Sequence, residues 1–494
     1  DVEVDISKGL HNFTVVGLPD KAVEESRDRM SSAIKHSGFD SPKSHNQKIV
    51  VSLAPANLKK EGPLFDVPIA LAYLLAHDDI SFNPDKKLFV GELSLDGKIR
   101  KVHGVLPLIE KAAKVGFAEA YVPEENAEEA ALIKNIKIFP VKSLADLIKH
   151  LSPGISTKDK TKFVLDIQPQ TKIKTEAREA DVDFSDIKGQ EAGKRGLLIA
   201  ASGGHNIALY GPAGTGKTML ARALSGILPP LSYDEILEVT AIHSVAGNLR
   251  ESYISHPPFR SPHHTSSYVS LVGGGSFPKP GEVTLSHRGV LFLDEFPEFE
   301  RRVIDALRQP LEDKVITISR QRGSGLFPAN FILVAAMNPC PCGNYGSTKN
   351  CTCSAKDISR YRKKISGPIA DRIDMWIEVP LVRHKVLGDR VKGEGSKTFR
   401  EKVIKARAHM QKRFATAKRS RLNGDMSAKE IEKLVPLSES AREILNTSAE
   451  KLQLSARSYH KIIKLARTIA DLDESRFVED KHLLEALQYR QKEG

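Results

Sequence analysis

Cysteine is scarce in these 494 residues: four occur, all between positions 340 and 353. So tight a group excludes a disulfide framework spread over the fold. It points to a reducing compartment, the cytoplasm, and to a local metal or redox role for the thiols. Long apolar runs are missing as well. No stretch approaches the roughly 20 apolar residues that a membrane-spanning helix needs, so no membrane association is expected, and no charged-then-apolar leader is visible. The chain opens at Asp1 on a strand-like pattern without an initiator Met, which suggests that residues precede it. Acid is in deficit, with 62 Asp and Glu against 74 Lys and Arg and a net charge of +12. Much of the excess sits in 397–421, where ten Lys or Arg stand against one acid, Glu401. A polyanion partner is one reading of that segment and a solvated basic helix face is the other. What remains, 40% apolar and 28% charged residues, describes an ordinary folded protein long enough for about three domains.

The organisation follows from periodicity. Residues 1–152 alternate short apolar strands (13–16, 49–52, 88–91, 119–122) with helical patterns (21–37, 66–76, 107–115), which predicts an α/β or α+β domain. Residues 153–181 turn polar and read as a linker. Strands and helices alternate again over 182–388, the pattern of a doubly wound nucleotide-binding core. From 396 to 494 only helical periodicity remains, as in Ile462, Leu465, Ala466, Ile469 and Leu472, and predicts a small helical bundle.

The central block carries the chemistry. Gly211-Pro212-Ala213-Gly214-Thr215-Gly216-Lys217-Thr218 fits GxxxxGK[ST] without a mismatch, between an apolar strand at 206–210 and a helix opening at Lys217. The glycines let successive N–H groups turn inward on phosphates, Lys217 reaches the outer phosphates of ATP, and the Thr218 hydroxyl serves Mg²⁺. Val290-Leu291-Phe292-Leu293-Asp294-Glu295 is a buried-strand run ending in two carboxylates. Asp294 is placed to hold Mg²⁺ through water and Glu295 to polarise the attacking water. Asn338, at the tip of the apolar run 331–336, could orient that water or read the terminal phosphate. Arg372, before an apolar strand, could cross a subunit boundary as an arginine finger. Arg457, opening a helix of the terminal bundle, could touch the terminal phosphate. On the residues alone, each would serve equally as a surface salt-bridge partner.

Taken together, several segments resemble the Mg-chelatase-like AAA+ ATPases of the bacterial ComM/YifB type. They are Phe259-Arg260-Ser261-Pro262-His263-His264-Thr265, Gly273-Gly274-Gly275 with Pro278, Pro280, Gly281 and Glu282, the run 289–295, and Met337-Asn338-Pro339-Cys340-Pro341-Cys342-Gly343. The likeness extends to the opening Val182-Asp183-Phe184-Ser185-Asp186-Ile187-Lys188-Gly189-Gln190 and to Ser455-Ala456-Arg457-Ser458-Tyr459-His460 near the end. It implies an α/β AAA+ P-loop core with an N-terminal Lon-protease-like (ribosomal S5-type) α/β domain and a C-terminal helical lid. Lys217 and Thr218 then take the Walker A roles, Asp294 and Glu295 Walker B, Asn338 sensor 1, Arg372 the arginine finger and Arg457 sensor 2. The resemblance further implies a homo-hexameric ring acting on branched or single-stranded DNA, in branch migration during recombination and natural transformation.

Other features refine this. In the first domain, Lys59-Lys60-Glu61-Gly62-Pro63-Leu64 resembles the Lon segment in which a nucleophilic Ser follows Gly-Pro, and Gly104-Val105-Leu106 falls where the activating Lys would stand. With Leu64 and Leu106 there is neither nucleophile nor base, so a Lon-like fold without peptidase activity is expected. Cys340-x-Cys342 and Cys351-x-Cys353 offer four thiolates for Zn²⁺, although CxC is tighter than the usual CxxC. Free thiols or a labile disulfide pair are the alternatives. Two insertions are candidates for a DNA path: 247–288, with Arg260, His263, His264, Tyr268, Lys279 and Arg288, and a hairpin at 315–327 with Arg320 and Arg322. The His263-His264 pair lacks an acidic or thiol partner in its motif, which argues against a metal there. Two other functions remain open, a metal-insertion chaperone like the magnesium chelatase ATPase subunit and an ATP-dependent protease, the latter weakened by the two leucines.

Overall fold

Every second side chain of Gln47–Leu53 is buried, the period of a strand with one face on a core. The computed structural model, which describes residues 1–60, 62–153, 163–174, 181–275, 278–320, 323–347, 349–383, 385–386, 393–415 and 421–491, places this strand, β3, in the middle of a three-stranded sheet. There β1 (Val2–Lys8) pairs antiparallel and β2 (Asn12–Val16) parallel to it. Helix α1 (Lys21–His36) starts where the Asp20 carboxylate accepts from Val23 N, and it buries Val23, Met30 and Ile34. Helix α2 (Asp66–Ala76) carries a fully buried carboxylate, Asp66, which is satisfied by Arg29, Ser26 and the N–H of Leu93. A second, parallel sheet joins β4 (Lys87–Phe89), β5 (Glu119–Pro123) and β6 (Lys137–Val141). Helices α3 (Val105–Lys114) and α4 (Leu144–Leu151) flank these strands in sequence.

The compact unit built on these sheets comprises Asp1–Lys174 and, from much later in the chain, Thr240–Ile254. Its polar centre explains the addition. Glu129, 3% exposed, accepts from Leu106 N and Asn126 Nδ2 (both 3.1 Å) and from Ser244 Oγ. Gly104 N in turn donates to Ser244 Oγ at 3.0 Å. The 104–106 segment thus carries a buried leucine, Leu106, and is fixed through Gly104 by Ser244. Of residues 153–181, 154–162 and 175–180 lie outside the described residues.

The second unit comprises Thr175–Val239 and Ser255–Gly494. Its centre is a five-stranded parallel sheet ordered β8 (Phe259–Arg260), β9 (Val290–Leu293), β12 (Ile332–Met337), β7 (Ile207–Tyr210), β13 (Met375–Glu378). The strands are apolar at nearly every position because both faces are covered. Val290, Phe292, Val334 and Leu209 enter one core, and Leu291, Leu293, Leu333 and Ala208 the other. Helices α5 (Glu191–Gly203) and α6 (Lys217–Ile227) line the first core, together with the C-terminal helices α8 (Ser396–Arg413), α9 (Glu439–Lys451), α10 (Ala456–Leu472) and α11 (Asp480–Gln488). Between β9 and β12, β10 (Val315–Arg320) and β11 (Gly323–Pro328) form the expected antiparallel hairpin. Arg322 lies outside the described residues, and so does residue 388. Helix α7 (Ala355–Arg362) follows the cysteine segment.

Four arginines of the basic segment 397–421 are engaged inside this unit, while Lys397, Lys402, Lys405 and Lys412 are exposed. Arg400 and Arg407 donate to Gly226 O and Ala201 O, carbonyls at the C-terminal ends of α6 and α5, where a cation meets the negative end of the helix dipole. Arg413 binds Asp471 and Arg421 binds Glu430. Lys418 and Arg419 lie outside the described residues. Arg400 and Arg407 therefore hold the helical bundle to the core, and Arg413 and Arg421 tie the bundle to itself, structural roles that neither sequence reading of the segment anticipated. Arg467, 1% exposed, is a second such clamp: it binds Asp471 and closes the turn after α10 through Ser475 O (2.6 Å) and Arg476 O (2.8 Å).

Candidate functional site

At the C-terminal end of β7 the chain must turn without touching β13. A Cβ on Gly211 would stand 2.2 Å from Val379 O, so only glycine fits there. Gly214 (φ +78°) and Gly216 (φ +91°) take left-handed conformations, and no heavy atom lies within 4 Å of where their Cβ atoms would be. The loop therefore opens on space that side chains would fill, a cradle suited to phosphates at the N-terminus of α6. Thr215 ties the loop to itself through Pro212 O (3.1 Å), and Gln190 ties it to the rest of the core through Thr215 O (3.0 Å) and Pro380 O (2.7 Å).

Lys217 is buried, and that burial lowers its pKa from the usual lysine value. Its ammonium group donates to Gly211 O (2.7 Å), Pro212 O (2.8 Å) and Asn338 Oδ1 (3.2 Å). Thr218 Oγ1 donates to Asp294 Oδ2 at 2.9 Å. This hydroxyl and carboxylate are hard oxygen donors side by side, a donor set that fits Mg²⁺. Glu295, at the tip of β9 with φ 51°, donates its N–H to Asp294 Oδ1 (2.9 Å) and directs its carboxylate at His264 Nδ1 (3.1 Å). Parallel strands β7, β9 and β12 thus bring Lys217, Thr218, Asp294, Glu295 and Asn338 to one edge of the sheet, where α/β proteins bind their ligands.

His264 is the residue that sequence reasoning undervalued. The sequence offers it as a DNA-path residue or, with His263, as a disfavoured metal ligand, whereas its partner is a carboxylate 31 positions on, and no local motif signals that pairing. Other residues of 247–288 are similarly occupied. Arg260 pairs with Glu282, Arg288 with Glu235 and Glu238, and Tyr268 lies beneath the Arg302 guanidinium, 4.6 Å from its ring centre, while Lys279 is exposed.

The two predicted arginines stand elsewhere. Arg372 O accepts from Asn206 Nδ2 (3.1 Å), which puts Arg372 beside the residue preceding β7, at the edge of the sheet opposite the phosphate loop. Its guanidinium binds Pro368 O (2.6 Å) and Glu312, in the short helix Arg308–Asp313, and holds the Glu312 carboxyl below the ordinary glutamate pKa. Arg457, in the first turn of α10, approaches the same Glu312 at 3.9 Å. Lys461 of α10 donates to Ile373 O (3.0 Å), fixing the start of that helix against the Arg372 segment.

The four cysteines converge immediately after Asn338. Sγ separations are 3.4 Å (Cys340 to Cys342), 3.6 Å (Cys342 to Cys351) and 3.7 Å (Cys340 to Cys351), and all four sulfurs lie within 4.8 Å of one another. The backbone N–H groups of Asn344 and Thr352 hold the Cys342 thiol down to about 6.

A parallel sheet carrying this loop, paired carboxylates and a polar tip on the adjacent strand defines a phosphate-loop ATPase of the AAA+ class. Matches to known families narrow the class. Residues 183–387 match the model for magnesium chelatase, subunit ChlI; 2–126 match subunit ChlI of Mg-chelatase; and 393–490 match the ChlI C-terminal model. The chain is 44% identical to competence protein ComM of Haemophilus influenzae over 99% of its own length and 94% of that protein's. It is 42% identical to the uncharacterized protein YifB of Escherichia coli, covering 99% and 93%. A shorter likeness, 35% identity over 94 residues, links it to the DNA repair protein RadA of Streptococcus pneumoniae, covering 19% of this chain and 22% of that one. The chain belongs to the magnesium-chelatase-like family that includes ComM and YifB. Among the described residues no helix is long and apolar enough to cross a membrane.

Proposed function

We propose that this protein is an ATP-driven motor that works on branched or single-stranded DNA as a ring of identical subunits. The observation that carries the DNA reading is a cleft of about 580 Å³ beside Pro297 and Phe299, just past Glu295, into which Arg301, Lys356, Arg360, Lys363 and Lys364 project. Arg301, Arg360 and Lys364 pair with Asp305, Asp357 and Glu298 in exposed bridges, which water screens strongly. Five cations lining one cleft suit a phosphodiester backbone. Its position next to the loop of Glu295 offers a direct link between DNA and hydrolysis. The names of ComM and RadA, competence and DNA repair proteins, support the same substrate.

In the hydrolytic step Lys217 exchanges the carbonyls of Gly211 and Pro212 for phosphate oxygens. Thr218 and Asp294 would hold Mg²⁺, which would supply positive charge to neutralise the phosphates. Glu295 takes the proton of the attacking water while His264 fixes the carboxylate, and Asn338 moves between Lys217 and the terminal phosphate. Arg372 and Arg457, at the opposite edge of the sheet and sharing Glu312, serve the nucleotide of an adjacent subunit. From that edge the length of β7, roughly 13 Å at a strand's rise per residue, separates Arg372 from its own phosphate loop.

ATP hydrolysis measured with and without four-way junction DNA tests the substrate. Stimulation should be strong at 50 mM salt and fall steeply by 200 mM, with a log–log slope of about −0.9 per phosphate contact. Arg360→Glu with Lys363→Glu should weaken the apparent DNA affinity about tenfold or more and flatten that slope by about 2. An unchanged slope would remove the cleft from the DNA path. A second reading, remodelling of a protein partner in metal insertion, is favoured by the chelatase-subunit descriptions of the matching families. Stimulation by a protein partner and by no DNA would establish it instead.

A further inference from the structure

We propose that Cys340, Cys342, Cys351 and Cys353 bind one Zn²⁺ ion per chain, and that the ion clamps the loop following Asn338 against the phosphate loop. The geometry comes first. At a Zn–S distance of about 2.3 Å, a regular tetrahedron of thiolates has edges of about 3.8 Å, and the separations among Cys340, Cys342 and Cys351 Sγ are 3.4, 3.6 and 3.7 Å. A disulfide would require about 2.05 Å, so the sulfurs converge on a common point and do not pair. Four thiolates and no oxygen donor select a soft or borderline cation over Mg²⁺ or Ca²⁺, and a tetrahedral S₄ set is the donor arrangement of structural zinc.

The loop also needs such a staple. Among its described residues, 339–347 and 349–353, only Cys340 and Gly343 are buried, and Tyr345 is 48% exposed. No apolar cluster holds it. What order it has comes from turns around the sulfurs: Gly343 N donates to Cys340 O (3.0 Å), Tyr345 N to Cys340 Sγ (3.4 Å), and Ser347 N to Asn344 O (2.9 Å). N–H groups directed at thiolates are the outer contacts that fix metal ligands in place. A segment this poor in buried apolar surface depends on its metal for a defined fold.

The clamp reaches the nucleotide loop through Gly343. Its carbonyl accepts from Ala213 N at 3.3 Å, and a Cβ there would stand 3.4 Å from Ala213 Cβ and 3.7 Å from Asn338 Nδ2. Asn338 itself accepts from Lys217. Fixing Cys340 and Cys342 therefore fixes Gly343, and with it one hydrogen bond of the phosphate loop and the partner of its lysine. Loss of the metal should loosen ATP binding even though no cysteine touches the nucleotide.

The chain's four cysteines all lie here, so any thiol-specific reagent reports on this site alone. The test uses the full chain, purified under reduction. Zinc content is measured, an organomercurial is titrated in with a zinc-sensitive dye, and binding of a fluorescent ATP analogue is followed before release and after thiol regeneration with added ZnCl₂. One zinc per chain should leave as the thiols titrate, with ATP affinity falling about tenfold, which corresponds to about 1.4 kcal/mol, and recovering with the metal. Less than about a tenth of an equivalent, with no uptake of added Zn²⁺ by the reduced protein, would overturn the site. Zinc present but ATP affinity unmoved by its removal would overturn the clamp and leave the site. Because Cys→Ser variants risk unfolding the loop, Gly343→Ala serves as an independent probe. It keeps all four thiols but strains a residue at φ +77° against Ala213, and should retain zinc while weakening ATP binding.

Discussion

Replacing Glu295 by Gln is expected to cut ATP turnover by about 10² to 10⁴, the range for losing a positioned general base, while ATP affinity stays within about twofold. Gln preserves the shape of the side chain and an oxygen acceptor for His264, but it cannot take a proton from water. Lys217, Thr218 and Asp294, whose hydrogen bonds do not involve the Glu295 carboxylate, should bind nucleotide as before. Phosphate release under saturating ATP reads the first effect and titration with a fluorescent ATP analogue reads the second. Turnover within threefold of the parent would show that Glu295 is merely an ion-pair partner of His264. The backbone supports the stronger reading. Glu295 is a non-glycine residue held at φ 51°, a conformation that costs of order 1 kcal/mol and tends to survive where the surrounding structure has a use for it.

Much of this site was legible in the sequence because its determinants are local. The phosphate loop is written in consecutive residues, with glycines where the backbone turns left-handed. The strands that place Asp294 and Asn338 are apolar at every position because both faces are covered. The hairpin before β12 and the helices of the C-terminal bundle also follow from periodicity. What escaped was set by contacts between distant residues. Nothing near Ser244 announces that Glu129 and Gly104 will bind it, so residues 240–254 read as part of the central block. Arg400, Arg407 and Arg413 read as part of a polyanion surface or a solvated helix face because charge is visible in sequence, whereas the carbonyls of Ala201 and Gly226 and the Asp471 carboxylate that absorb it are not. Lys397, Lys402, Lys405 and Lys412 of the same segment stay exposed, and a second group of cations lines the cleft beside α7. The convergence of Cys340, Cys342, Cys351 and Cys353 was foreseeable from spacing, but their link to Ala213 depended on the fold.

Arg372→Ala is expected to reduce turnover by about 10³ or more, the scale on which an arginine finger acts, and to leave the nucleotide affinity of a single subunit unchanged. An arginine acting within its own subunit would predict the same loss, so the loss alone does not discriminate. Mixing does. Arg372→Ala subunits retain Glu295, and Glu295→Gln subunits retain Arg372; each is nearly inactive by itself. If the guanidinium serves a neighbour, randomly mixed rings carry both intact residues at about a quarter of their interfaces, and turnover should rise to a comparable fraction of the parent. If it serves its own subunit, no interface is repaired and the mixture stays inactive. Glu312 sharpens the expectation. It binds Arg372 and approaches Arg457, so both arginines must leave it to reach a nucleotide across the interface. Glu312→Gln, which weakens that hold without removing either guanidinium, should preserve the rescue by mixing. A mixture that remains as inactive as its components, in rings whose exchange is confirmed by native mass, would return both arginines to the role of ordinary ion-pair partners.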